Sequence, residues 1–178
     1  MKNYFKDSEF KNFPASPTPA QFYLRENLRL HLNCIRHHIK SPIIITDCFR
    51  TLAKYKAMKK NYNPSATSDH FWQQVIPTAR QKDRIRYGKY FTYSVGAVDF
   101  YTPKLDMEKV FKMVMELFHD QAIDIGQAIL ETGKYSQWIH LSNNRTGIYD
   151  YNFLQRIGGL KQRFLISDDN GKSYRLAA

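Results

Sequence analysis

Three short segments of this 178-residue chain each carry a side chain able to hold a metal ion: Ser68-Asp69-His70, Gly96-Ala97-Val98-Asp99 and Trp138-Ile139-His140-Leu141-Ser142. Two imidazoles and one carboxylate suit a catalytic zinc, because three protein ligands leave the fourth tetrahedral position open to water. Period-two alternation along the last segment sends Gln137, Ile139 and Leu141 to one face of a strand and Trp138, His140 and Ser142 to the other. The competing reading of His140 is a core histidine with its ring nitrogens satisfied by neighbours, since histidine is intermediate in burial preference. For Asp99 it is a buried, hydrogen-bonded carboxylate, and for Arg50, a further candidate, a surface ion pair. His37-His38 is a different case: adjacent helical residues point about 100° apart and do not converge on one ion.

Periodicity outlines the elements that must position these side chains. Residues 1–18, with Pro14, Pro17 and the following Pro19, read as an extended arm laid over the domain. From about residue 19 to 40, Leu28, Leu32, Ile35 and Ile39 recur at helical spacing, with Arg25, Arg29 and Arg36 on the other face. Pro42 ends that helix, and Ile43-Ile44-Ile45-Thr46 reads as a buried strand from which Asp47-Cys48-Phe49-Arg50 departs. A second helix is expected from residue 51 to about 60, broken by Asn61-Tyr62-Asn63-Pro64-Ser65. Residues 71–90 show neither period and read as a loop, within an insertion placed at 71–95.

Aromatic and β-branched content from Phe91 to Tyr101 argues for one strand, with Gly96 at a bulge or close approach. Pro103 is expected in the first turn of the next helix, whose buried side carries Val110, Val114, Leu117 and Phe118. Ala128-Ile129-Leu130-Glu131 and the strand of His140 form a hairpin through Thr132-Gly133-Lys134-Tyr135-Ser136. A short helix from Tyr149 to Arg156 is closed by Gly158-Gly159, and a C-terminal extension at 158–178 ends in a hairpin around Asp168-Asp169-Asn170-Gly171.

Length and a hydrophobic fraction of 43% support one domain over residues 1–178. The 27 Lys and Arg against 16 Asp and Glu give +11, which favours an anionic partner: nucleic acid, a phospholipid surface or a cell wall. Arg80, Lys82, Arg84, Arg86 and Lys89 form either a patch or an ordinary solvated face; no nucleic-acid motif accompanies them, so a nucleic-acid partner rests on charge alone. Cys34 and Cys48 lack disulfide or C-x-x-C spacing and read as reduced, packed thiols. The first seven residues lack the apolar core of a signal peptide and no run reaches the roughly eighteen apolar residues of a membrane helix, so a product made in the cytoplasm with no membrane span is expected.

The three segments, in order, resemble the pieces S-x-H, G-x-A-x-D and W-x-H of the zinc D-Ala-D-Ala carboxypeptidase family. Cys48-Phe49-Arg50 resembles the family's G-Y-R segment, and Tyr4-Phe5-Lys6-Asp7-Ser8-Glu9-Phe10 is similar to the start of short phage-type members. The resemblance implies an α+β fold with a small central antiparallel sheet and flanking helices, and zinc held by His70, Asp99 and His140. It further implies that Arg50 engages the substrate's carboxylate or polarised carbonyl and that Ser68 supports the substrate. The activity so implied is zinc-dependent hydrolysis of a peptide bond in peptidoglycan stem peptides, as a carboxypeptidase or an endolysin-like endopeptidase. Such an enzyme would reach the anionic cell wall after lysis, holin release or delivery in a phage particle.

The chain departs from the pattern twice. H-x-x-G-x-A-x-D sets the first two ligands close together, whereas 28 residues separate His70 from Asp99 here. Several members place a glutamate three residues before the last histidine, where this chain has Gln137, whose amide cannot accept a proton from water at neutral pH. Glu131 resembles the glutamate that phage-type members carry ahead of W-I-H and becomes the candidate base; otherwise it is an ordinary hairpin glutamate. The alternative to an enzyme is a catalytically impaired relative serving as a binding or structural component, possibly of a phage particle.

Overall fold

The computed structural model describes residues 2–58, 70, 75–77, 90–92, 96–143, 164–169 and 173–177. The N-terminal arm packs as expected: its aromatic residues Phe5 and Phe10 are buried, and a single helical turn at Asp7–Glu9 interrupts it. Helix α1, Pro19–Ile39, begins at a capping box in which the Thr18 hydroxyl accepts the Gln21 amide proton and Gln21 accepts that of Thr18. It ends where Lys40 enters the left-handed region at φ 51°.

The arginines of α1 do more than face water. Arg25 lies over the Phe13 ring, Arg29 over Phe10 and Arg36 over Tyr4, and both Arg25 and Arg29 pair with Asp7. Arg25 is consequently buried, at 7% exposure, because its apolar stem and flat guanidinium cover the arm that crosses it.

Strand β1, Ile44–Asp47, is followed by helix α2, Leu52–Met58, and two short strands, β2 at Val75–Pro77 and β3 at Tyr90–Thr92, pair antiparallel in a ribbon of their own. Next come β4, Ala97–Tyr101, helix α3, Met107–His119, and the hairpin of β5, Ile125–Thr132, with β6, Gln137–Asn143. The strands β7, Phe164–Ser167, and β8, Arg175–Leu176, pair antiparallel at the end of the chain, as the terminal hairpin was expected to.

Six strands form one sheet in the order β1-β4-β6-β5-β7-β8. Helices α1 and α3 pack on one face, where Leu28, Leu32, Ile35, Val110, Val114 and Leu117 meet Val98, Phe100, Ala128, Leu130, Ile139 and Leu141. Alternation then turns Asp99, His140, Ile129 and Glu131 to the opposite face. The α+β class holds, but the sheet is mixed, not antiparallel, since β7 runs parallel to β5. The starts of β5 and β7 accordingly lie at the same end of the sheet.

Other expectations are corrected. The run from Phe91 to Tyr101 is divided between two sheets, and the stretch read as a loop at 71–90 contributes a strand to the separate ribbon. Strand β1 is an edge strand with Ile44 at 38% exposure, so its β-branched residues alternate between core and surface. Pro103 precedes α3 by a loop, because Asp106 caps the helix by accepting the Glu108 amide proton at 2.9 Å. Ser68, the 61–65 break, the basic residues at 80–89, the Tyr149 to Arg156 helix and Gly158-Gly159 lie outside the described residues. Both cysteines are free and buried.

Ile139 is fully buried at the centre of the sheet. Replacing it with Ala is expected to lower the unfolding free energy of the metal-free protein by about 2–5 kcal/mol, read from urea titrations.

Candidate metal centre

The site begins with strand pairing. Asp99 on β4 stands directly opposite His140 on β6, and His140 Nδ1 lies 2.9 Å from Asp99 Oδ1. His70 comes from outside the sheet and is fastened to the segment leaving β1. Its Nδ1–H donates to the Cys48 carbonyl at 2.7 Å, and its own carbonyl accepts the Arg50 amide proton at 2.9 Å. The opposite ring nitrogen, Nε2, then lies 3.1 Å from the same Asp99 Oδ1. The two imidazoles meet edge to face with centroids 5.0 Å apart, and one ligand atom from each of the three residues falls within 4.8 Å of the others. The expected triad is thus brought together, with the β2–β3 ribbon accommodated between His70 and Asp99 in sequence.

The donor set fits a cation. A backbone carbonyl only accepts, so the neutral His70 ring carries its proton on Nδ1 and turns the Nε2 lone pair toward a carboxylate oxygen 3.1 Å away. Two lone pairs held at that distance require a proton or a metal ion between them, and an imidazole whose far nitrogen is tied to a carbonyl is the usual arrangement of a metal-binding histidine. Burial alone would raise the Asp99 carboxyl, but the His70 and His140 rings outweigh it and hold the group well below the usual carboxylate range. The Cys48 thiol is pushed well above its ordinary value by burial, with Asp47 and Asp99 adding to the effect, so Cys48 serves the site through its carbonyl and not its sulfur.

Asp47, which no motif singled out, completes the cluster. A β-bulge between Ile45 and Asp47 sets Asp47 opposite Asp99 instead of leaving it on the core face with Ile45. Its carboxylate accepts from Arg50 Nη2 at 3.3 Å and from the Lys54 ammonium. Burial pushes its pKa up, while His70 and Lys54 more than reverse that and leave it lowered. Arg50 is therefore not a surface ion pair: it is 7% exposed, paired with Asp47 just behind the triad. The Thr46 hydroxyl, on the bulge itself, donates to the Asp99 carbonyl at 3.1 Å.

Glu131 lies opposite Trp138 on the face that also carries His140. Burial raises its pKa above that of an ordinary glutamate; Asp99 adds to this, and the two histidines and the Trp138 indole N–H oppose it. Gln137 occupies the other face of β6, where its amide donates to the Thr132 hydroxyl at 3.1 Å and secures the hairpin. Among the described residues, His70, Asp99 and His140 form the one convergence of three metal-competent side chains, and no helix is long and apolar enough to cross a membrane.

No family model matches this chain, and no curated protein or solved structure matches it.

Because the folded pKa of Asp99 is depressed, its contribution to stability is present above the unfolded carboxylate value of about 3.9 and is lost as pH falls through the folded one. Asp47 carries the same sign. The urea midpoint of the metal-free protein is expected to drop below about pH 4, and Asp99→Asn to flatten that part of the profile.

Proposed function

We propose that this chain is a zinc metallopeptidase that hydrolyses a peptide bond in the stem peptides of bacterial peptidoglycan, as a carboxypeptidase or an endolysin-like endopeptidase. The observation that carries the reading is the meeting of His70, Asp99 and His140 around one carboxylate oxygen, in the order in which the zinc D-Ala-D-Ala carboxypeptidase motifs run. These three residues would hold the ion. Bound there, zinc supplies a Lewis acid for the scissile carbonyl and lowers the pKa of water toward about 7.

The remaining roles fall to side chains of the chain itself. Glu131 accepts the proton of the attacking water, a task favoured by burial, which raises the basicity of its carboxylate. The Arg50 guanidinium, fixed by Asp47, places positive charge where negative charge develops on the substrate, and Ser68 supports the substrate. A net charge of +11 favours approach to an anionic wall, reached after lysis, holin release or particle delivery.

A second reading, a catalytically impaired relative acting as a binding or structural component of a phage particle, is favoured by Gln137. The position that several family members give to the base here holds an amide committed to Thr132. Zinc bound at one ion per chain without any hydrolysis of wall peptides would select it.

Digestion of purified peptidoglycan, followed by mass spectrometry of the products, tests the enzyme and names the bond. Chelation is expected to abolish activity and zinc to restore it. Glu131→Gln should lower kcat by roughly 100- to 10,000-fold with zinc still bound. Activity that survives His140→Ala would sink the assignment.

A further inference from the structure

We propose that Trp138 is the positioning residue for Glu131: its indole N–H holds the carboxylate on the side of the triad, and Gly133 leaves the space in which the indole lies. The inference rests on the reading of Glu131 as the proton acceptor and adds what aims it.

Three observations meet here. The strand register sets Glu131 opposite Trp138 and Ile129 opposite His140, so Glu131 is the diagonal neighbour of a triad histidine on one sheet face. Diagonal neighbours lie about 7–8 Å apart, within reach of a long side chain. A glutamate has three rotatable bonds, and across that distance it can swing to the hairpin end or to the centre. Trp138 stands directly across the strand pair from it, and an indole nitrogen only donates, so the one polar atom the ring can offer the carboxylate is an N–H. Engaging one carboxylate oxygen in this way leaves the other available to take a proton.

Gly133 supplies the third observation. A Cβ built there would stand 2.9 Å from Trp138 Cζ3, closer than a real Cβ approaches its neighbours, and 3.3 Å from Cη2. The hairpin turn is itself fixed by the Gly133 amide donating to the Ser136 carbonyl at 2.8 Å, so the turn does not yield and the indole must. A glycine at this turn is thus required by the ring that covers it. Gly133, Trp138 and Glu131 act in series, each setting the place of the next.

The chain contains two tryptophans, Trp72 and Trp138, so indole nitrogen labelling gives two side-chain resonances that Trp72→Phe assigns. In the zinc-loaded protein, Glu131→Gln is expected to move the Trp138 N–H resonance upfield, and Gly133→Ala to move it as well. Trp138→Phe, which keeps an aromatic ring and removes the donor, should lower kcat on peptidoglycan roughly 10- to 100-fold with KM and zinc stoichiometry unchanged, and should add little to Glu131→Gln. An indole resonance indifferent to Glu131→Gln, or wild-type kcat in Trp138→Phe, overturns the inference. If the wild-type protein hydrolyses no wall peptide, the peptidase reading fails, and the resonance alone then decides whether Trp138 holds Glu131.

Discussion

A single carboxylate oxygen, Asp99 Oδ1, is the point on which the molecule turns. Two imidazoles approach it from different parts of the chain, one across a strand pair and one from a segment tied to the backbone of residues 48 and 50. Burying an ionised carboxylate costs several kcal/mol unless positive charge or hydrogen bonds meet it. The sheet accordingly places β4 between β1 and β6, so that Asp99 has Asp47 with its Arg50 and Lys54 partners on one side and His140 on the other. The core on the opposite face, built from α1, α3 and the arm, holds these strands in register.

Much of this was legible in residue order. Helical spacing identified α1 and the buried side of α3, and alternation at Gln137 to Ser142 separated Ile139 and Leu141 from His140. The triad was named from three weak segments whose sequence order carried the information, and the fold closes them on one another despite the long interval between His70 and Asp99. Such an interval costs little to accommodate because the entropy of closing a loop grows only with the logarithm of its length.

What escaped the sequence was tertiary. The direction of β7 is set by its pairing with β5, a segment distant in sequence, which no local pattern encodes. The burial of Arg25 depends on an arm that reaches it only in the folded chain, and a basic residue in a helical pattern reads as solvated without it. In a regular strand a carboxylate two residues beyond an apolar core position faces the same way as that position, so nothing local marks Asp47 as a neighbour of Asp99.

The bulge at Thr46 breaks that parity by one residue. A strand behaves as a binary code in which every added or removed residue exchanges inside for outside along all that follows. With Thr46 bulged, Asp47 joins the polar side; were Thr46 held in regular alternation, the same side chain would share the apolar interior with Ile45. The arginine and lysine that depend on Asp47, and the carbonyl of Cys48 that fixes His70, follow it in sequence and inherit its frame. The frame of the centre therefore rests on the bulge and not on the length of the strand: drawing Thr46 into the regular ladder would turn Asp47, and the segment that follows it, away from Asp99.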